Sequence, residues 1–307
     1  MKKVMKIIGL IIFIFIILVI ILLVILSNKQ AAPKNYQDKV STGGDIEEKY
    51  LKNGSYQVSY HEDGTLQEFS KFEVYYPSEL ETSNSKYPVI VMVNGSGTPL
   101  SKYYTVAKHY ASWGFIVIGT EQKYDWNGLA PELCIRYLER LNENEKIDDK
   151  VSIFYNKIDF DNVGIVGHSQ GGVGVINALT TTEHKDIYKA AVSLSPTNKT
   201  LAHNLLWDYD ATKINTPIML ISGEGGGDDW VVTGDQLTDI YNDIPGDKIK
   251  LRRKNTPHGE ILYSEDGYVL AWFMYYLKND NEAKKAFVGD NAEILTNTNY
   301  QDIEKTI

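Results

Sequence analysis

Apolar residues follow three rhythms along this chain. Residues 7–26 form one run of twenty positions without a charge, which at about 1.5 Å per helical residue reaches the roughly 30 Å thickness of a bilayer core. Further on, the apolar runs are short. Val89–Val93, Phe115–Gly119, Val163–Val166, Ala190–Leu194 and Pro217–Ser222 read as strands covered on both faces, and Lys248–Arg253 as one more. Between or after them Tyr104–Trp113, Leu129–Leu141, Asp235–Asn242 and Tyr268–Leu277 carry apolar residues at helical spacing. This β/α alternation predicts a mostly parallel, doubly wound α/β sheet. Ahead of it, Ser55–Tyr60 and Phe69–Tyr76 read as a strand pair turning at Glu62-Asp63-Gly64-Thr65. The polar stretch 27–45, with Pro33 and Gly43-Gly44, reads as a flexible linker, which leaves 46–307 as the folded domain. Only Pro196–Thr216 separates two of the expected strands, too little for a large cap domain, so an open cleft is expected.

Lys2, Lys3 and Lys6 precede the long apolar run, and no small-residue cleavage site follows it. That pattern predicts an N-terminal transmembrane helix over 1–26 with the lysines inside and a single-pass protein whose body is extracellular; secretion after signal cleavage is the alternative. A formal charge of -9 and a pI near 5.2 argue against a nucleic-acid partner, since neutralising phosphates needs a basic face. The single cysteine, Cys134, excludes an intrachain disulfide and any multi-cysteine metal site.

The chemistry concentrates where the Val163 strand ends, in Gly167-His168-Ser169-Gln170-Gly171-Gly172. A serine flanked by glycines between a strand and an apolar helix is a nucleophile elbow, whose sharp turn holds the hydroxyl out from the sheet. A serine needs a base, and the base a carboxylate that fixes its tautomer. Chains built on such an elbow order the three as serine, acid, histidine. Of six histidines only His258 lies beyond the strand that should deliver the acid. His168, adjoining the serine, diverges from it on a sharp turn and is read as a supporting residue. The acid is expected in Glu224-Gly225-Gly226-Gly227-Asp228-Asp229, just past the Pro217–Ser222 strand. Asp229 is preferred because it abuts Trp230-Val231-Val232, where the loop re-enters packed structure; Asp228 is the rival and Glu224 the remainder. Oxyanion donors are expected at the backbone N–H of Gln170 and in the Asn94–Thr98 loop, at Gly97 in preference to Ser96.

Taken with Ala111-Ser112-Trp113-Gly114-Phe115, Ala271-Trp272-Phe273 and Ala286-Phe287-Val288-Gly289, these motifs resemble the α/β-hydrolase superfamily, especially cutinase-like lipases and polyester hydrolases and their chlorophyllase and dienelactone-hydrolase relatives. The resemblance covers the chain from about Ser55 onward. It implies an α/β-hydrolase fold with Ser169 as nucleophile, Asp229 as acid, His258 as base and oxyanion donors at Gln170 and the Gly97 region. The activity it implies is ester cleavage through an acyl-enzyme, on a small-molecule, lipid or polyester-like substrate, without metal or organic cofactor. Two alternatives stay open: a peptidase or amidase with the same triad, and an inactive surface binding protein on a hydrolase scaffold. Oligomeric state is not legible.

Overall fold

The computed structural model describes residues 17, 29–65, 69–147 and 150–307. The expected membrane helix over 1–26 lies outside them but for residue 17, and among the described residues no helix is long and apolar enough to cross a membrane.

Strand β1 (Val58–Gly64) pairs antiparallel with β2 (Lys71–Pro77). The expected turn at Glu62–Thr65 is therefore displaced. The ladder runs on to Gly64↔Lys71, and Lys71 there binds the carboxylates of Glu62 at 2.6 Å and Glu73 at 3.1 Å, so opposite charges across the pair favour continuing it. β3 (Tyr87–Val93) and β4 (Ile116–Thr120) follow, then a two-residue ribbon, β5 (Lys146–Ile147) with β6 (Lys150–Val151). β7 (Ile158–His168), β8 (Tyr188–Leu194), β9 (Ile218–Gly223), β10 (Lys248–Arg253) and β11 (Tyr300–Lys305) complete the set. The main sheet has nine strands in the order β1-β2-β4-β3-β7-β8-β9-β10-β11. β4, β3, β7, β8, β9 and β10 are mutually parallel, and antiparallel pairings close both edges.

Period-two alternation sorts the strands' side chains between two cores. Ile90, Met92, Val117, Val192, Met219 and Ile221 face helices α1 (Asp45–Leu51), α2 (Tyr104–Ser112) and α9 (Asp266–Lys278). Val89, Val91, Val93, Ile118, Ile165 and Leu220 face α3 (Leu129–Glu143), α4 (Gln170–Thr180) and α7 (Gly234–Asp243). Because both faces are covered, β3 is buried at all of its positions. Short helices occupy the remaining connections: α5 (Lys199–Asn204), α6 (Asp228–Val231) and α8 (Ile261–Ser264). Between β8 and β9 lie only α5 and one 3₁₀ turn, too little chain for a cap domain at that connection.

Residues 29–45 are not the free linker the composition suggests. Ala31 N–H donates to Lys102 O at 2.8 Å, Ala32 and Tyr36 are fully buried, and the Tyr36 hydroxyl donates to Asp266. Ser41 O accepts from Arg253. The packed domain thus begins before Ile46. The C-terminal strand β11 also escaped the sequence reading; its exposed, polar outer face lacks an apolar signature.

Candidate active site

The C-terminal end of β7 delivers His168, and the chain then reverses into α4 at Ser169. The reversal places Ser169 at φ 60, ψ -119, a conformation strained for any residue with a side chain. It is imposed by close packing. A Cβ on Gly171 would lie 2.3 Å from Val93 O, so only glycine lets the first turn of α4 sit this close to β3. Ser169 N–H donates to Leu194 O at 2.8 Å, tying the elbow to β8.

Two loops close on Ser169. From the β10 side, His258 Nε2 lies 2.9 Å from Ser169 Oγ. From the β9 side, Asp228 Oδ1 lies 2.7 Å from His258 Nδ1. This geometry puts the imidazole proton on Nδ1 and leaves Nε2 to accept from the serine. The order serine, acid, histidine is as expected, but the carboxylate is Asp228 and not Asp229. The correction has a helical cause. Asp228 and Val231, three apart in α6, share its inward face and are both buried. Asp229 is rotated outward, with its side chain 67% exposed and 3.7 Å from Arg252. Glu224 accepts from Asn255 N–H instead.

Asp228 is fully buried, and its second oxygen accepts from Ser195 Oγ at 2.8 Å and from Gly223 N–H. Sequence reasoning missed both supports. Ser195 follows β8 in left-handed backbone at φ 44, a conformation no residue-type signal announces. His168 donates from Nε2 to His258 O at 2.8 Å, holding the loop that carries the base. Burial, and then repulsion from His258, push its imidazole down to about 3. A neutral ring is thereby kept beside one that must take up a proton.

The two expected oxyanion donors fare differently. Gln170 N–H, at the first position of α4, has no partner among the described residues, as helix geometry leaves it. Gly97 N–H is already committed to Lys123 O at 2.7 Å. In the same loop Ser96 N–H is unbonded among the described residues. A Cβ on neighbouring Gly95 would lie 3.6 Å from Ser169 Cβ, so this loop rests on the elbow. Of the two candidates in this loop, only Ser96 therefore keeps an N–H free to donate among the described residues. The Gln170 side chain turns away and accepts from Asp125 N–H at 3.0 Å. Burial pushes the Asp125 carboxyl up to about 7.

A parallel α/β sheet with a strained serine, histidine and buried aspartate at its C-terminal edge is the arrangement of the α/β-hydrolase superfamily. Within it, the chain belongs to the PET hydrolase-like family, which matches residues 36–305. Among curated relatives, cutinase est1 of Thermobifida alba is 26% identical over 259 residues, covering 81% of each chain. The bis(hydroxyethyl) terephthalate hydrolase of Streptomyces coelicolor is 22% identical over 216 residues, 67% of this chain and 62% of that protein. These likenesses support an ester-cleaving hydrolase and agree with the cutinase-like resemblance of the motifs.

Proposed function

We propose that the protein is a serine hydrolase that cleaves carboxylic esters through an acyl-enzyme. The observation carrying this reading is the continuous relay Asp228–His258–Ser169, at 2.7 and 2.9 Å, ending on a strained serine. His258 Nε2 takes the Ser169 proton as Oγ attacks the ester carbonyl, and the amides of Gln170 and Ser96 meet the charge on its oxygen. The imidazolium, steadied by Asp228, returns the proton to the departing alcohol. Water then attacks the acyl-serine with His258 again as base, releasing the acid. No metal or organic cofactor enters these steps. An uncapped serine suits esters presented on bulky molecules, which is the sense in which cutinase and terephthalate-ester hydrolase relatives bear on this chain.

Ser169→Ala should abolish labelling by a fluorophosphonate and nearly all ester turnover while leaving the melting temperature in place. Full labelling of that variant would exclude Ser169 as nucleophile. Matched ester and amide substrates then separate the esterase from an amidase. The lysines and the uncharged run at 7–26 support a membrane-tethered protein with its catalytic domain outside the cell. Protease added to intact cells should digest that domain; protection until lysis would reverse the orientation.

A further inference from the structure

The two backbone amides proposed above to meet the oxyanion sit on different elements, Gln170 on the first turn of α4 and Ser96 on the loop that leaves β3. A loop and a helix can shift against each other, yet both donors must stand about 2.7–3.1 Å from one oxygen. The structure puts Asn94 at the joint. It is fully buried directly after β3, just ahead of Gly95 and Ser96. Its Nδ2 donates to Thr120 O at 2.7 Å and to Gln122 O at 2.8 Å, at the end of the neighbouring strand β4. Its Oδ1 accepts from the buried Tyr103 hydroxyl. A carboxamide supplies two donors and an acceptor without charge, which is what this pocket of two carbonyls and one hydroxyl asks for.

The same joint reaches the other donor. A Cβ on Gly171 would lie 2.8 Å from Asn94 O, so the Asn94 backbone rests on the turn that carries Gln170. Asp125, buried three residues beyond Gln122, faces the Asn94 N–H with its carboxyl and gives its own N–H to Gln170 Oε1 at 3.0 Å. Gly97 N–H, on Lys123 O at 2.7 Å, fastens the far side of the Ser96 loop to this segment. Residues 120–125 are thus bonded to both halves of the oxyanion hole. We propose that Asn94 is a positioning residue for ester cleavage: its carboxamide pins the Ser96 loop to the end of β4, so that the Ser96 and Gln170 amides converge on one carbonyl oxygen. This deepens the serine-esterase reading above and rests on it. Asn94 has no bond to Ser169, His258 or Asp228 among the described residues, so changing it leaves the proton relay in place. What weakens is the hold on charge that develops only as Ser169 attacks, an effect on kcat more than on KM.

The test compares the full chain with its Asn94→Ala variant on p-nitrophenyl butyrate and on the matching thionoester, whose larger sulfur and longer C=S bond fit an oxygen-sized hole poorly. Outright loss of one donor costs about 10²–10³ in kcat, so a donor that is only displaced should cost about tenfold. Asn94→Ala should lower kcat for the ester by that factor with KM nearly unchanged, while thionoester turnover falls far less, so that the preference for ester over thionoester shrinks. Tyr103→Phe removes only the hydroxyl that Asn94 Oδ1 accepts from, about one neutral hydrogen bond, and should shift the preference the same way by about threefold. It carries the test if melting curves show that Asn94→Ala does not fold. An unchanged preference in the folded variant, whether both substrates slow equally or neither slows, overturns this proposal alone. A parent enzyme that turns over ester and thionoester alike overturns the Ser96 and Gln170 donors, and a Ser169 that a fluorophosphonate does not label overturns the esterase reading; either takes this proposal with it.

Discussion

Replacing Asp228 with asparagine tests the relay at its most constrained point. Asp228 accepts three hydrogen bonds, from His258 Nδ1 on one oxygen and from Ser195 Oγ and Gly223 N–H on the other. Asparagine has one acceptor oxygen and an NH₂ group, so one side must fail. The Ser195 hydroxyl can rotate to accept, but the Gly223 amide is backbone and cannot. The asparagine oxygen therefore stays on Gly223, and its NH₂ faces His258 Nδ1. That forces the imidazole proton onto Nε2, pointing at Ser169 Oγ, and the base is lost. Holding the wrong tautomer lowers kcat by about 10⁴ in a triad of this kind, or about 5 kcal/mol at 1.36 kcal/mol per decade. Asp229→Asn removes only an exposed side chain 3.7 Å from Arg252, worth less than about 1 kcal/mol. Kinetics on a p-nitrophenyl ester, with melting curves to confirm folding, separate the two. A loss in Asp229→Asn equal to or greater than that in Asp228→Asn would refute the assignment.

Three further outcomes follow from groups around the relay. Burial and His258 hold His168 near a pKa of about 3 in the folded protein, against about 6.5 in an unfolded chain. The unfolded state then binds the extra proton between those values, so stability present above 6.5 drains away as pH falls; His168→Gln should flatten that loss in melts at pH 7 and pH 4.5, and an unchanged pH slope would count against it. Asp125 titrates in the opposite sense, its raised pKa of about 7 making the folded state hold the proton longer. Its ionisation lowers stability as pH rises from about 3.8 to 7, so Asp125→Asn should be stabilised relative to the parent above pH 7, with the gap closing in acid. Gly171→Ala drives a methyl to 2.3 Å from Val93 O; a cost of about 3 kcal/mol should lower the calorimetric Tm by about 5 °C in a domain of this size, and an unshifted Tm would show that α4 can move off β3.

Strand–helix alternation was legible because the central strands are apolar on both faces while the helices repeat at their own period; β3, β4 and α2 fall within two residues of their expected bounds. Ser169 and His258 were legible because chain order leaves one serine elbow and one downstream histidine. What failed depends on contacts that sequence period does not encode. Whether residue 228 or 229 points inward is a rotation of about 100° on a single helical turn, and the apolar Trp230-Val231-Val232 signal misled because Trp230 is 71% exposed while Val231 and Val232 are buried. Gly97 was preferred for its bare backbone, yet the partner of its amide, Lys123 O, lies on a distant loop. The N-terminal stretch reads as a linker from its polar composition, because its anchors are two isolated buried side chains, Ala32 and Tyr36, and bonds through the backbone of Ala31 and Ser41 that no residue type signals.

The glycine run before Asp228 reads in sequence as a source of slack, yet in the structure it joins acid and base into one unit. Gly225, Gly226 and Gly227 hold φ values of 96, 53 and 101, a left-handed reversal that turns the chain back beneath His258. A Cβ on Gly226 would lie 2.3 Å from Pro257 Cβ, so the two loops meet backbone to ring. His258 N–H closes the contact on Gly226 O at 3.2 Å, and His168 grips His258 O from the elbow side. The residue that supplies the base is therefore bonded through both of its backbone polar groups, one to the acid loop and one to the nucleophile's own neighbour. Relative placement of the three loops is set by these backbone bonds before any proton moves, which is the condition for an imidazole to stand at 2.9 Å from Ser169 Oγ.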